Sequence, residues 1–173
     1  MPRTERLRFR ELVAEDLDFV AAMLADPEVM RYYPKVYSRA EALEWIERQR
    51  RRYAEQGHGL WLVLGTRTGM PVGQVGLVEQ QVNGRPESEV GYLIQRAFWR
   101  HGLATEAARA TRDWAIDVLG RERVVALIRP ENGPSQGVAR KLGLRVVERC
   151  QHGGCEHDVW AITRAQRDAL PSP

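Results

Sequence analysis

The chain has 173 residues, 43% of them hydrophobic and 28% charged, with a formal net charge of +3. That length suits a single domain over residues 1–173 with a full hydrophobic core, and the composition excludes collagenous, disordered and disulfide-framed classes. No apolar run approaches the roughly 18 residues a membrane span needs, and the N-terminal residues alternate arginine with apolar side chains instead of forming a signal-peptide core. A cytoplasmic protein without a membrane partner is therefore expected. The basic residues are 24 Arg against 2 Lys. This mild positive balance falls short of a nucleic-acid-coating surface and suits a small polyanionic ligand.

Leu7 and Phe9 alternate with Arg6, Arg8 and Arg10, the pattern of a half-buried strand over 5–10. A helix is expected from Asp16 to about Leu24. Ser38-Arg-Ala-Glu41 is a capping box that opens a second helix reaching about Glu55, with Leu43, Ile46 and Tyr53 as its apolar stripe. Residues 60–64 and 72–78 read as antiparallel strands joined by a turn over 66–71. A strand at 89–95 precedes an alanine-rich helix from Ala104 to Leu119, whose small face is Ala104, Ala108, Thr111, Ala115 and Val118. The unbroken apolar run 124–128 is typical of a central strand buried on both faces. Asn132 opens a short helix that Gly143 ends, and 144–150 with 155–162 form a hairpin. The fold class is α+β: a mixed, mostly antiparallel sheet flanked by helices, with 89–95 and 124–128 as a parallel pair joined by a right-handed crossover.

Three patterns carry chemistry. Trp99-Arg-His-Gly-Leu-Ala104 leads from strand to helix with small residues at Gly102 and Ala104, leaving bare backbone N–H groups where the helix dipole favours an anion. The spacing is neither a P-loop nor a dinucleotide fingerprint. Gly133-Pro-Ser135-Gln-Gly137 fits the G-x-S-x-G elbow of serine hydrolases, but nothing else hydrolase-like surrounds the His152, His157 and Asp158 that follow it. Cys150-x-His152-x-x-Cys155-x-His157 offers four potential zinc ligands at an irregular spacing, so no metal is expected.

The 99–104 turn resembles the acetyl-CoA-binding motif of the GNAT N-acetyltransferases, Q/R-x-x-G-x-G/A, with Trp99 at the Gln/Arg position. Trp there, followed by Ala104-Thr-Glu-Ala107, is similar to the RimJ/RimL-type branch that acetylates ribosomal-protein N-termini. Asn132-Gly-Pro-Ser135, Lys141-Leu-Gly143, Thr4–Arg10 and Asp26–Tyr33 extend the resemblance over nearly the whole chain. It implies a GNAT fold and direct acetyl transfer from acetyl-CoA to a primary amine, without metal, nucleic acid or covalent intermediate. The implied acceptor is a peptide N-terminus; a polyamine, an aminoglycoside or another small amine is the alternative. A non-catalytic acetyl-CoA-binding protein and a homodimer both stay open.

Free N–H groups from about Arg100 through His101, Gly102, Leu103 and Ala104 to Thr105 are expected to cradle the pyrophosphate, and the segment from Trp99 to Thr105, with Asn132 and Ser135, to hold the coenzyme. By the same resemblance, Leu93 and Ile94 carry the pantetheine arm, and a bulge at Gly91 or Tyr92 frees a backbone N–H toward the thioester. Glu89 is the candidate base, with a solvent-facing strand end as the plain reading and His101 as the runner-up. Many family members place a tyrosine where this chain has Ala139, so Ser135 is the candidate donor to the leaving sulfur; it reads equally as a first-turn residue behind the N-cap Asn132. Acceptor contacts are expected on loops 30–38 and 79–88, with Tyr32 and Tyr33 as candidates. Arg48 and Arg50–Arg52 are a solvated helix face, or the lining of a groove for an acidic peptide.

Overall fold

A computed structural model describes residues 1–171. The N-terminal alternation resolves into β1 (Leu7–Arg10), with Leu7 and Phe9 buried and Arg8 exposed. A short 3-10 turn leads into α1 (Leu17–Ala25). Helix α2 (Arg39–Gln56) begins at the expected capping box: the Glu41 N–H donates to Ser38 Oγ at 3.3 Å, and the Ser38 N–H donates to the Glu41 carboxylate at 2.8 Å. Its buried stripe is Ala42, Trp45, Ile46, Gln49 and Tyr53, while Leu43 is 40% exposed. The helical period selects 42, 46, 49 and 53, and that face excludes 43.

The sheet has seven strands in the order β1-β2-β3-β4-β5-β7-β6. They are β2 (Leu60–Gly65), β3 (Pro71–Val82), β4 (Arg85–Ile94), β5 (Arg123–Ile128), β6 (Arg145–His152) and β7 (Cys155–Thr163). Every neighbouring pair is antiparallel except β4 and β5, as the crossover argument requires. Strands β3 and β4 are longer than their apolar cores. They pair from Gly73↔Ile94 to Val82↔Arg85 around Asn83-Gly84, whose φ values of 48° and 78° are those of a type I′ hairpin turn. Residues 79–88, expected as an acceptor loop, are therefore arms of a hairpin. Polar side chains from Glu79 to Gln81 and from Glu87 to Glu89 hid the alternation.

Helix α3 (Leu103–Asp117) crosses from β4 to β5 and buries Ala107, Ala108, Thr111 and Ala115 against the sheet. Val118, expected on that face, lies past the helix end and is 66% exposed. Helix α4 (Gly133–Lys141) and the short α5 (Arg164–Asp168) complete the chain. Trp45 on α2 donates its indole N–H to Gln74 at 2.8 Å, and Trp114 on α3 meets Trp61 edge-on at 5.1 Å. Because strand side chains alternate between faces, α2 and α3 cover opposite sides of the sheet. A smaller core of Val82, Val125, Cys150, Val159 and Ala161 forms beneath the β3–β4 hairpin, which Asn83 and Arg85 tie to Glu148.

One irregularity positions everything that follows. The β4–β5 ladder is a single bridge, Glu89↔Val125, beyond which the two strands part. The β3–β4 register runs on without a shift through Gly91 and Tyr92, so the expected bulge does not form against β3. The Gln95 N–H donates to Val72 O at 2.9 Å, and by the two-residue alternation Gly91 and Leu93 also turn toward β3. The backbone groups of Tyr92 and Ile94 face the opening instead. Divergence of β4 from β5 thus exposes main-chain groups where a bulge was anticipated.

Candidate active site

On the α3 side of the sheet, the chain leaves β4 through a 3-10 turn at Arg96–Phe98 and reverses at Trp99–Gly102. Arg100 and Gly102 take φ values of 64° and 76°, which turn the backbone sharply into the helix. The Trp99 indole N–H donates to Ile94 O at 2.7 Å and pins the turn to the end of β4. The first α3 hydrogen bond runs from the Glu106 N–H to Gly102 O at 3.0 Å, and no side chain caps the helix. The N–H groups of Leu103, Ala104 and Thr105 therefore have no intrahelical acceptor. Uncapped donors at a helix N-terminus, approached through a glycine, fit a diphosphate.

The turn is braced from the far edge of the sheet, a feature the sequence reading missed. Glu106 accepts the Arg6 N–H at 3.2 Å, the Arg6 Nε–H at 2.5 Å and the Thr4 hydroxyl, while another Arg6 N–H donates to His101 O at 3.0 Å. Burial alone would raise the Glu106 carboxyl. The hydrogen bonds from Thr4 and Arg6, with the Arg6 charge, outweigh it and hold the group below the usual carboxylate range. The pairing of Thr4 and Arg6 with Glu106 spans about a hundred residues, so no local pattern carries it.

Helix α4 stands across the opening. Asn132 Oδ1 accepts the Ser135 N–H at 3.1 Å, so Asn132 is an N-cap. Ser135 has an ordinary right-handed backbone in the first turn, unlike the strained serine of a nucleophile elbow. The Tyr92 hydroxyl donates to Ser135 O at 2.9 Å, and burial pushes that phenol well above its ordinary value. A phenol kept protonated thus stands beside Ser135, although the sequence reading treated Tyr92 as a bulge position. Its spacing from Val90 and Ile94 was the available signal, since it places Tyr92 on the α3–α4 side.

Glu89 points to the opposite side. It is half-buried; one carboxylate oxygen accepts the Gln80 amide at 2.8 Å, and the other receives a longer contact from the Leu127 N–H at 3.4 Å. Tyr33 is 36% exposed, and the rest of its side chain is covered by protein. That burial, followed by the Glu89 charge, pushes its phenol upward, as expected for a group in the wall of a cleft. The Glu89 charge also pushes the Tyr92 phenol upward, after its burial and against its hydrogen bond to Ser135. Tyr32 instead lies under Arg31, 5.9 Å from its ring, and His101 stays exposed in the phosphate turn. Of the two arm residues named from sequence, Ile94 faces the opening and Leu93 pairs toward β3.

His152 and His157 stack edge-on at 5.6 Å, and Cys150 is buried in the smaller core. Among the described residues, no three His, Cys, Asp or Glu side chains gather as a metal ion would need. A surface groove of about 740 Å³ runs along the outer side of α3 past Arg109 and Asp113. It is open, mixed in charge, and meets the turn at Gly102 and Thr105 and its brace at Thr4, Arg6 and Glu106.

Uncapped helix N–H groups lie on one face of the mixed sheet and a carboxylate on the other, beside the place where β4 and β5 stop pairing. Residues 6–145 match the acetyltransferase (GNAT) domain family, and the chain belongs to it. It is an acyltransferase that uses acetyl-CoA. The uncharacterized protein YkkB of Bacillus subtilis (strain 168) is 35% identical over 142 residues, covering 82% of this chain and 83% of that protein. The spermidine N(1)-acetyltransferase of Escherichia coli (strain K12) is 28% identical over 153 residues, covering 88% of this chain and 80% of that enzyme. A solved acetyltransferase from Agrobacterium tumefaciens str. C58 has a TM-score of 0.82 and 26% identity, over 94% of this chain and 93% of its own. No helix among the described residues is long and apolar enough to cross a membrane.

Proposed function

We propose that the chain moves an acetyl group from acetyl-CoA directly to the primary amine of a peptide N-terminus, which enters from the α1–α2 side and reacts at the β4–β5 opening. The observation that carries this reading is the parting of the strands immediately after Glu89↔Val125, which joins the two sides. Acetyl-CoA supplies the activated thioester. The N–H groups of Leu103, Ala104 and Thr105 hold its diphosphate, with the Arg100 side chain adding charge, and the main-chain groups of Tyr92 with the Ile94 N–H guide its arm like an added strand.

Glu89 takes the proton that makes the incoming ammonium a neutral nucleophile. After attack on the carbonyl carbon, the C–S bond breaks and the electron pair goes to sulfur, where a hydroxyl donor stabilises it. Ser135 is one candidate donor. The Tyr92 phenol is the other, once its proton swings from Ser135 O to the sulfur.

A small amine is the second reading. The likeness to a spermidine acetyltransferase favours it. Thiol release from acetyl-CoA, measured with short N-terminal peptides and with small amines in parallel, decides between them. Peptide-dependent release supports the first reading, release with small amines alone the second. No release with either, alongside tight acetyl-CoA binding, contradicts a transferase acting on amines of these classes.

A further inference from the structure

Arg48 and Arg50–Arg52 form one basic run in the sequence, and α2 divides it. Arg50 pairs with Glu47 at 2.8 Å, and Arg51 is exposed. Arg48 and Arg52 share a face, four residues apart. Arg48 lies over the Trp45 ring at 5.0 Å. Arg52 is half-buried and donates to the neutral amide oxygen of Gln49 at 3.2 Å; among the described residues no carboxylate pairs with it.

This pair belongs to the acceptor wall. The same Gln49 oxygen accepts the Leu60 N–H at 3.1 Å, and the Leu60 side chain lies 3.0 Å from where a Gly91 Cβ would stand. Gly91 and Glu89 share one side of β4. Arg52, Leu60 and Glu89 thus follow one another across a single surface. Burial, followed by the Arg48 charge, works against the Arg52 cation, and the Glu89 charge supports it only in part. The amide nitrogen of Gln49 is also buried without a partner. On this wall Arg52 is thus a half-buried cation whose one hydrogen-bond partner is a neutral amide. A half-buried guanidinium without an anionic partner is costly, and an anionic oxygen arriving at this surface would pair with Arg52.

We propose that the acceptor is a primary amine carrying its own negative charge, with the amine at Glu89 and the acidic group on Arg52, supported by Arg48. This rests on the reading of the Glu89 side as the acceptor side. A polyamine brings no anion and would press a second ammonium toward two guanidinium groups. A peptide N-terminus with an acidic side chain near the amine and a free acidic amino acid share the required chemistry.

The test compares acceptors that differ by one charge: C-terminally amidated peptides with Glu or Gln as second residue, the amino acids glutamate and glutamine as their α-amides, and spermidine. The acidic member of at least one pair is expected to exceed its amide partner in kcat/KM by about tenfold or more. That ratio should collapse in Arg52→Gln and largely survive in Arg52→Lys, with both variants still binding acetyl-CoA as evidence of folding. Preference confined to the peptides, or to the amino-acid amides, identifies the source. Equal rates for acid and amide, a better rate with spermidine, or a ratio unchanged in Arg52→Gln would overturn the proposal while leaving acetyl transfer intact. No turnover of any acceptor by an acetyl-CoA-bound enzyme would overturn the proposed function and this inference together.

Discussion

Gly102 precedes α3 with a φ of 76°, and a Cβ placed there would meet only the Arg6 guanidinium, at 3.6 Å. Space is therefore not what demands glycine; the left-handed backbone is, at a cost of about 1 kcal/mol for other residues. Gly102→Ala should fold and bind acetyl-CoA more weakly. Gly102→Glu should do worse, because its carboxylate would sit beside Arg6 and repel the diphosphate; titration with acetyl-CoA should show at least roughly a tenfold loss. A folded Gly102→Glu variant with unchanged affinity would remove the coenzyme from this turn. The thiolate donor is a choice between two hydroxyls. Tyr92→Phe should lower kcat on the order of 10- to 100-fold, with little change in acetyl-CoA affinity, if the phenol serves the sulfur. Ser135→Ala should give that loss if the serine does. Full activity in either variant strikes that residue from the mechanism.

Elements far apart in the chain hold the site. Strand β1 reaches α3 through Arg6, Thr4 and Glu106, so the outermost strand braces the phosphate turn. The Glu106 carboxyl lies below its ordinary 4.5 when folded. A depressed carboxyl contributes stability that is complete above the unfolded value and lost as pH falls through the folded one. Glu106→Gln should therefore melt at a lower temperature than the parent at pH 7, with the gap closing as the pH falls below 4.5. A gap independent of pH would show that the charge does not matter to the brace. Close strand approach sets another limit: a Cβ on Gly76 would lie 1.9 Å from Gly59 O. Gly76→Ala should cost about 1–3 kcal/mol or more by overpacking, and a denaturant melt reads it directly. Local chemistry made many elements legible beforehand, because caps and periodicity act within a few residues: Ser38 with Glu41, Asn132 with Ser135, and Gly143 at φ 80°. The β3–β4 arms were missed because polar side chains cover them, although Asn83-Gly84 announced the turn.

At the scale of the molecule, the proposed reaction depends on where two strands stop pairing, and no short pattern encodes that. The 99–105 turn was readable because its chemistry is local, in glycine, small residues and a helix start. Glu89 was readable as a carboxylate on an apolar strand, but its position at the last β4–β5 bridge was not. Tyr92 and Arg52 gain their roles only when α4 and α2 close on opposite faces of the sheet. The central claim is that an amine on one side and acetyl-CoA on the other react through that gap with Glu89 as proton acceptor. Its most direct test is amine-dependent thiol release from acetyl-CoA by the parent and by Glu89→Gln, followed across pH. The account predicts release by the parent and a fall of roughly 100-fold or more in kcat/KM for the variant, partly recovered at high pH, where free amine is abundant. A Glu89→Gln enzyme as active as the parent across the whole pH range would contradict it.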